Sequence, residues 1–592
     1  MRLPILFPLF AILLISSALL GSDAPSISKK QLDADLKAGN NFDTTGFDFQ
    51  IADGPVKPNV QSLGANYSCP EWFRDAKFGI YMHWGLNSVA GFNGHYARHM
   101  YHQQEPEESR MDKAANTPMM SSLSGYKPGS EDVYGYHVKT FGHPTKFGYK
   151  DLIPLWKADK FDPSELAALY RECGAKFVGV MAVHHDNFDL YDSTYQPWNS
   201  LRMGPKIDIV GAWKKACAKE HLRFAISSHL SNGFHEHAFY QGNSDTAGPL
   251  AGVPYDTMDH ANDGLYGTRT DDRLRRLNPG FAQQWYHRTK ELVDKYNPDL
   301  LYLDGGLPNG DYGLNLAAHF YNHYLAVNGK KEGVFTIKRT TPAGFTLDVE
   351  SAGAGEGSST PWMVDTSINP GWFYLGKESE EDLKSVVKSA KGGDDAGMSA
   401  TEVSRYGPDR IRLNAGQVIR NLVDIVSKNG NMMLNVGLRP DGSLPETYRH
   451  ELLDIGSWLK VNGEAIYATR PFSVYGEGPF TMPATEGFTD NDYHFTAADI
   501  RFTRSKDGKT LYAILMDWPG DNAMVTIKSL GSKALPGVAA VSMLATGESL
   551  KWTQDRAGLH VTLPAKAPGE HAYVVKVALA HTGKNLPQSC SN

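Results

Sequence analysis

The sequence predicts an α/β chain: a (β/α)8-type barrel over residues 69–472, then a C-terminal antiparallel β-sandwich over 473–582. Three observations lead there. Eight short apolar runs lack the in–out alternation of a half-exposed sheet, as strands buried on both faces do. Segments with helical apolar spacing lie between several of them, the rhythm of βα units. After Pro471 the pattern changes to brief strands separated by turn residues, which marks a second, all-β unit. A doubly wound open sheet competes with the barrel, but the glycine-rich phosphate loop expected after its first strand is missing.

Taken in order, MRLPILFPLFAILLISSALLGSDA has one early arginine, an apolar run and then small residues, so residues 1–22 read as a secretory signal peptide. The run is interrupted by Pro8 and short for a spanning helix, so a secreted or periplasmic protein is expected, with no stable membrane anchor. Residues 23–68 are polar and mixed, a leader wrapping the first domain. The strand candidates are 77–85, 176–185, 222–229, 300–306, 333–338, 345–350, 361–368 and 430–437. Helices are expected over Pro163–Cys173, capped by Asp162, and over Asp208–Lys219, Phe281–Tyr296 and Ile411–Ser427. Residues 102–150, rich in Gly, Pro, Ser and Met, form a long insertion after strand one, over the C-terminal rim where barrel sites are built. Residues 583–592 are a tail.

Composition narrows the function classes. At 592 residues, 41% of them hydrophobic, the chain is long enough for two cores. A net charge of −7 gives no reason to expect a nucleic-acid partner. Four scattered cysteines, Cys69, Cys173, Cys217 and Cys590, do not make a disulfide framework, and their spacing pairs none of them. Oligomeric state is not legible.

Polar residues cluster at the predicted strand ends: His83 after strand one, His184 and His185 after two, His229 after three. Asp304 follows strand four, Lys338 and Arg339 follow five, and Glu350 ends six. One such residue is ordinarily a cap or turn former; a near-complete ring on one barrel face points to a site. In PDLLYLDGG a rigid apolar strand ends in a carboxylate, and the glycines after it let a ligand approach the backbone. Asp304 and Glu350 together are the pair that glycoside hydrolysis needs, one ionised and one protonated, with Glu356 a competing acid. Read without this context, Asp304 is a turn-forming Asp-Gly and Glu350 a loop residue. The histidines of MAVHHDNFDLYD serve as hydrogen-bond partners for hydroxyls. A metal is the rival reading, but adjacent strand residues face opposite sides and no second ligand pair is near, so none is expected. Trp84, Trp198, Trp362, Trp372 and Phe373 could stack on a sugar, though each alone reads as core.

Several of these segments resemble the α-L-fucosidases of glycoside hydrolase family 29. WFRDAKFGIYMHWG (72–85), YARHMY (96–101), AVHHDNFDLYDSTYQPWNS (182–200), PDLLYLDGG (298–306), PWMVDTSINPGWFY (361–374) and VDIVSKNGNMMLNVGLRPDGSLP (423–445) carry the likeness, in family order, across the expected barrel. The resemblance implies a retaining mechanism, with Asp304 as nucleophile and Glu350 as the best-placed acid/base. It matches His83, His184 and His185 to groups that bind fucose hydroxyls, Arg339 more closely than Lys338 to a sugar-binding base, and Trp372 to an aromatic near the sugar methyl. It implies no metal or organic cofactor. The chain departs from the family where an acid and a tryptophan precede YAR: here stand Gly94 and His95, so that contact is either lost or taken over by His95 or Asn93. After strand three, SSHLSNGFHEH replaces the aromatic common in the family and offers His229.

The reading is a secreted, exo-acting α-L-fucosidase acting on fucosylated oligosaccharides or polysaccharides by double displacement. The alternatives are a same-fold hydrolase of α-L-galactose or another L-sugar, and a non-catalytic glycan-binding protein.

Overall fold

The computed structural model describes residues 46–92, 94–103, 133–230, 244–266, 279–307, 310–338, 343–354, 356–376, 409–480 and 493–580. The expected signal peptide, much of the leader, the tail, Cys590 and Arg339 lie outside the described residues. Eight parallel strands close into a barrel: β1 (Phe78–Met82), β2 (Phe177–Val183), β3 (Arg223–Ser228), β4 (Leu300–Leu303), β5 (Val334–Lys338), β6 (Thr346–Asp348), β7 (Trp362–Ser367) and β8 (Gly430–Asn435). Each pairs with the next, and β1 pairs back onto β8 with Gly79 opposite Met433. All eight apolar runs are barrel strands, and β1, β2, β4, β7 and β8 are buried at every position.

Helices pack between strands where capping residues let them start. In α1 (Pro163–Glu172) the Asp162 carboxylate accepts from the backbone N–H of Ser164 and Glu165, and Pro163 opens the first turn. Helix α2 (Ile209–Lys219) begins one residue later than expected because Asp208 is its cap, accepting from Gly211 N–H. Helices α3 (Pro279–Tyr296) and α4 (Asp311–Asn328) follow. Helix α5 (Ala415–Ser427) starts four residues later than its apolar spacing suggests. Asn414 and Gln417 form a reciprocal capping box there, and the preceding residues are not helical. Helix α6 (Glu446–Asn462) completes the barrel. Among the described residues no helix is long and apolar enough to cross a membrane, and Cys69, Cys173 and Cys217 are free thiols.

The C-terminal part is antiparallel. Strands β9 (Arg470–Glu477), β10 (Ile500–Arg504), β11 (Thr510–Leu515), β13 (Val538–Met543) and β16 (Tyr573–Leu579) form one sheet in the order β13-β16-β11-β10-β9. Strands β12 (Met524–Ile527), β14 (Lys551–Gln554) and β15 (Leu559–Thr562) form a second. Phe502, Leu511, Leu515, Ile527, Val561 and Val575 from both sheets share one apolar core. The two parts are joined by charge as well as packing. Asp424 of α5 accepts from Arg501 of β10 at 2.6 Å and from Lys428 at 2.8 Å, with all three side chains buried. Each cation also faces the Tyr475 ring, Lys428 at 4.8 Å and Arg501 at 5.7 Å from its centre.

Removing one member of such a triad leaves buried charge without compensation, which costs about 3–5 kcal/mol. Asp424→Ala is therefore expected to lower the first thermal unfolding midpoint and to loosen the β-domain. A midpoint equal to the parent's would show the triad to be energetically neutral.

Candidate active site

The barrel's C-terminal mouth gathers the strand-end residues. Strand β4 ends at Leu303, and Asp304 N–H still donates to Ser228 O at 3.2 Å, which fixes where the carboxylate emerges. Gly305 then adopts φ +123°, a conformation that excludes other side chains, and its carbonyl accepts from Lys338 N–H at 2.7 Å. The Asp304 carboxylate is enclosed by cations and donors. Lys338 Nζ lies 2.6 Å from Oδ1; His229 Nδ1 lies 3.1 Å and His185 Nε2 3.4 Å from Oδ2. Burial by itself would favour its neutral form. The Lys338 ammonium and the His229 ring outweigh that and hold the carboxyl well below the usual carboxylate range.

Glu350, just past β6, meets the same ammonium: Lys338 Nζ is 2.7 Å from its Oε2. The Asp304 Oδ1 to Glu350 Oε2 separation is thus at most about 5.3 Å (2.6 plus 2.7). Burial pushes Glu350 up to about 7, against the pull of Lys338 and with the help of the Asp365 and Asp304 carboxylates. Two carboxyls beside one lysine are therefore driven in opposite directions, Asp304 to the anion and Glu350 to the acid. Beneath them Tyr302 O–H is within reach of Asp365 Oδ2 at 3.1 Å and Asp348 Oδ2 at 3.3 Å. Burial and the adjacent Asp365 push Asp348 far up, so it stays protonated.

Hydrogen-bond partners settle the histidine tautomers. A carboxylate only accepts, so His229 donates from Nδ1 to Asp304, and its Nε2 accepts from Tyr81 O–H at 2.6 Å. Tyr81 in turn accepts from Ser227 O–H at 2.6 Å. At His83 the decisive group is Asn435. Its amide nitrogen donates to Trp372 O at 2.7 Å and Ser367 Oγ at 3.0 Å, so its oxygen accepts from both His83 N–H and His83 Nδ1–H. His83 Nε2 is left as an acceptor facing the cavity. Burial keeps His83, His95 and His184 well below the usual histidine range, so the rings are neutral.

His83, His184 and His229 offer ring nitrogens close enough together to hold an ion, as do His185, His229 and Asp304. His229 belongs to both sets, and both its nitrogens are already engaged; a metal there would have to break the Tyr81 or Asp304 bond. A third set, Asp294, His319 and His323, meets the same objection, because His319 Nδ1 accepts from Ala52 N–H and Nε2 pairs with Asp294.

The geometry can be set beside known proteins. The alpha-L-fucosidase family model matches residues 47–390 and 402–464, and the model for the alpha-L-fucosidase C-terminal domain matches 491–578. The chain belongs to the alpha-L-fucosidase family. It is 26% identical to the tissue alpha-L-fucosidase of Rattus norvegicus over 532 residues, spanning 86% of this chain and 89% of that one. It is 27% identical to the plasma alpha-L-fucosidase of Homo sapiens over 513 residues, spanning 86% and 88%. A crystal structure of Thermotoga maritima alpha-fucosidase with a mechanism-based inhibitor superposes with a TM-score of 0.61 at 26% identity, covering 88% of this chain and 100% of that chain. This chain is accordingly a glycoside hydrolase, with a fucosylated glycan as substrate.

Within this family member, the mouth brings together Asp304, Glu350, His83, His184, His185 and His229, and adds the two flanking candidates. His95 stacks on His185 at 5.7 Å between ring centres, and Trp372 lies 5.1 Å from His83. Strand alternation does not separate His184 from His185, because β2 ends at Val183 and the chain turns, with Asn187 at φ +61°. Their rings are 4.5 Å apart and both face the cavity: His184 meets Phe373 at 4.8 Å, and His185 meets Asp304. Glu356 is exposed and Lys338, not Glu356, adjoins Asp304. Trp84 and Trp362 are core residues. The long insertion leans on this loop through Tyr149 O–H, which donates to Asp186 Oδ2 at 2.6 Å.

Sequence reasoning missed Asn435, Tyr81, Tyr302 and Asp365. Asn435 was findable: it closes GNMMLN as His83 and Asp304 close their strands, but an amide draws less notice than a titratable group. Asn435→Ala should free His83 and lower kcat/KM about tenfold or more through KM, since a lost buried hydrogen bond costs about 1–3 kcal/mol. An unchanged KM for a fucoside would show that His83 is held by packing alone.

Proposed function

We propose that this enzyme is an exo-acting, retaining α-L-fucosidase working by double displacement, with Asp304 as nucleophile and Glu350 as acid/base. The observation that carries this reading is the carboxyl pair itself. Its facing oxygens stand no more than about 5.3 Å apart, which falls short of the about 6.5–9.5 Å of inverting enzymes and is compatible with the about 5–5.5 Å of retaining ones. In the first step an Asp304 oxygen attacks the anomeric carbon, the glycosidic bond breaks, and the Glu350 proton passes to the leaving oxygen. In the second, Glu350 takes a proton from water, water oxygen bonds to the anomeric carbon, and Asp304 leaves as a carboxylate. His83, His184, His185 and His95 would bind ring hydroxyls, with Arg339 the expected further contact, while His229, engaged by Asp304 and Tyr81, would orient the carboxylate instead. Trp372 and Phe373 pack against the His83 ring at 5.1 and 5.6 Å, and these aromatics would favour the 6-methyl of fucose over the hydroxymethyl of L-galactose. The depth of the pair, with Asp304 only 13% and Glu350 23% exposed, fits a terminal sugar. Export is proposed on the composition of residues 1–22.

Asp304→Gly is expected to lose turnover of a fucoside with a good leaving group, and added azide should restore it as the β-fucosyl azide, the inverted product. Glu350→Ala with azide should give the α-azide, since azide then meets the glycosyl-enzyme. Turnover that survives in Asp304→Gly and ignores azide would remove the nucleophile assignment.

The pH dependence follows from the two carboxyls. Glu350 must carry its proton to act as acid, so kcat/KM should hold below about pH 7 and fall above it as Glu350 ionises. Asp304 stays ionised far into the acid range, so no fall is expected near pH 4 from that group. A profile rising through pH 7 would contradict Glu350 as the acid.

A further inference from the structure

Lys338 Nζ sits within 2.6 Å of Asp304 and 2.7 Å of Glu350, and the side chain is 12% exposed. It comes from the end of β5, and the ladder makes that position adjacent to both catalytic strands: Leu303 pairs with Ile337, and Lys338 pairs with Asp348. Asp365 from β7 lies 3.8 Å away, and the Tyr302 ring centre 5.8 Å. Among the described residues the other titratable groups that feel the pair are His83, His95, His185, His229, Tyr81, Tyr302 and Asp348, and none of them changes covalently during the reaction.

The charge balance of double displacement gives this lysine a task. Before the first step Asp304 is an anion and Glu350 an acid; after it Asp304 is a neutral ester and Glu350 an anion. The pair carries one negative charge in both states, and that charge has moved from one carboxyl to the other. We propose that Lys338 is a positioning residue for fucoside cleavage, the fixed counter-ion to a charge that passes from Asp304 to Glu350 and back. The inference rests on the assignment of those two residues. In the free enzyme the ammonium is shared, with Asp304 as its anionic partner. When Asp304 is esterified, Glu350 is the remaining catalytic anion within reach, and the ammonium favours its carboxylate, the form that must accept the proton from water. When water releases the sugar, the charge returns to Asp304. No group is transferred to or from the lysine; its proton stays on Nζ throughout.

The test separates the two half-reactions by pH. With a fucoside whose leaving group makes deglycosylation rate-limiting, kcat reports Glu350 as base, while kcat/KM reports it as acid. Lys338→Met should slow deglycosylation at neutral pH by about 10²-fold, within the span of about 10²–10⁴ for general acid–base catalysis. Both the acid limb of kcat and the alkaline limb of kcat/KM should move to higher pH, so that kcat recovers as pH rises. Lys338→Arg should bring both limbs back towards the parent, and Lys338→Gln serves as a second neutral variant should the methionine prevent folding. A uniform loss at every pH, with limbs unmoved in the folded neutral variant, would mean that the lysine only shapes the pocket, and would overturn the inference. Glu350→Gln is measured alongside. If its kcat/KM keeps the alkaline limb, the acid/base assignment falls and takes this inference with it; if that limb vanishes while Lys338→Met leaves both limbs in place, only this inference falls.

Discussion

Closure of the eight-stranded parallel ladder is the constraint on which everything else depends. Once β1 pairs with β8, every strand points the same way, and the residues that follow the strands must meet over a mouth a few side chains wide. A polar side chain at one strand end is largely shut off from bulk water by its neighbours, as the low exposure of Asp304 and Glu350 shows. It finds partners from neighbouring strand ends or bears the desolvation cost of burial. The hydrogen-bond relay from Ser227 through Tyr81 and His229 to Asp304 is one solution, and the Asn435 clasp on His83 another.

Electrostatics at the mouth follow from that crowding. Four histidines are kept neutral by burial, and Lys338 is the ammonium that answers the carboxylates. The same lysine lies nearly equidistant from two acids, yet their environments diverge. Asp304 also receives two imidazole N–H donors, whereas Glu350 receives none from the histidines among the described residues and faces the field of Asp304 and Asp365. Two carboxyls of nearly equal intrinsic acidity are thereby separated into an anion and a proton-bearing acid.

Much of this was legible in the sequence, for a physical reason. Strands buried on both faces must be continuously apolar, so a polar residue that closes such a run stands out. His83, His229 and Asp304 could be read off for that cause, and the barrel with them. What could not be read is how strand ends combine. Nothing in GNMMLN says that the asparagine amide would be oriented by Trp372 and Ser367 and would in turn orient His83. Inward positions within strands, such as Tyr81 and Tyr302, look like any buried aromatic until their hydroxyls find partners. The adjacency of His184 and His185 was misleading for the opposite reason: alternation is a rule of strands, and both residues lie past the point where β2 stops. Helix starts at Asp208 and Asn414 shifted because caps, not apolar spacing, decide where helices begin.

The position of Lys338 shows how little freedom the ladder leaves. Asp304 follows β4 and Glu350 follows β6, so β5 is the strand that borders both. A residue at its end is held between the two carboxyls by register alone, whatever its type. An apolar residue there would leave two acids at close range without this ammonium, and Asp304 would lose the largest influence holding it ionised. An acidic residue would crowd a third negative charge into the same volume. A cation balances the one negative charge that the proposed double displacement would keep on the pair, in either of its two positions. The strand order of the barrel thus provides the seat, and the chemistry of the reaction decides what charge can occupy it.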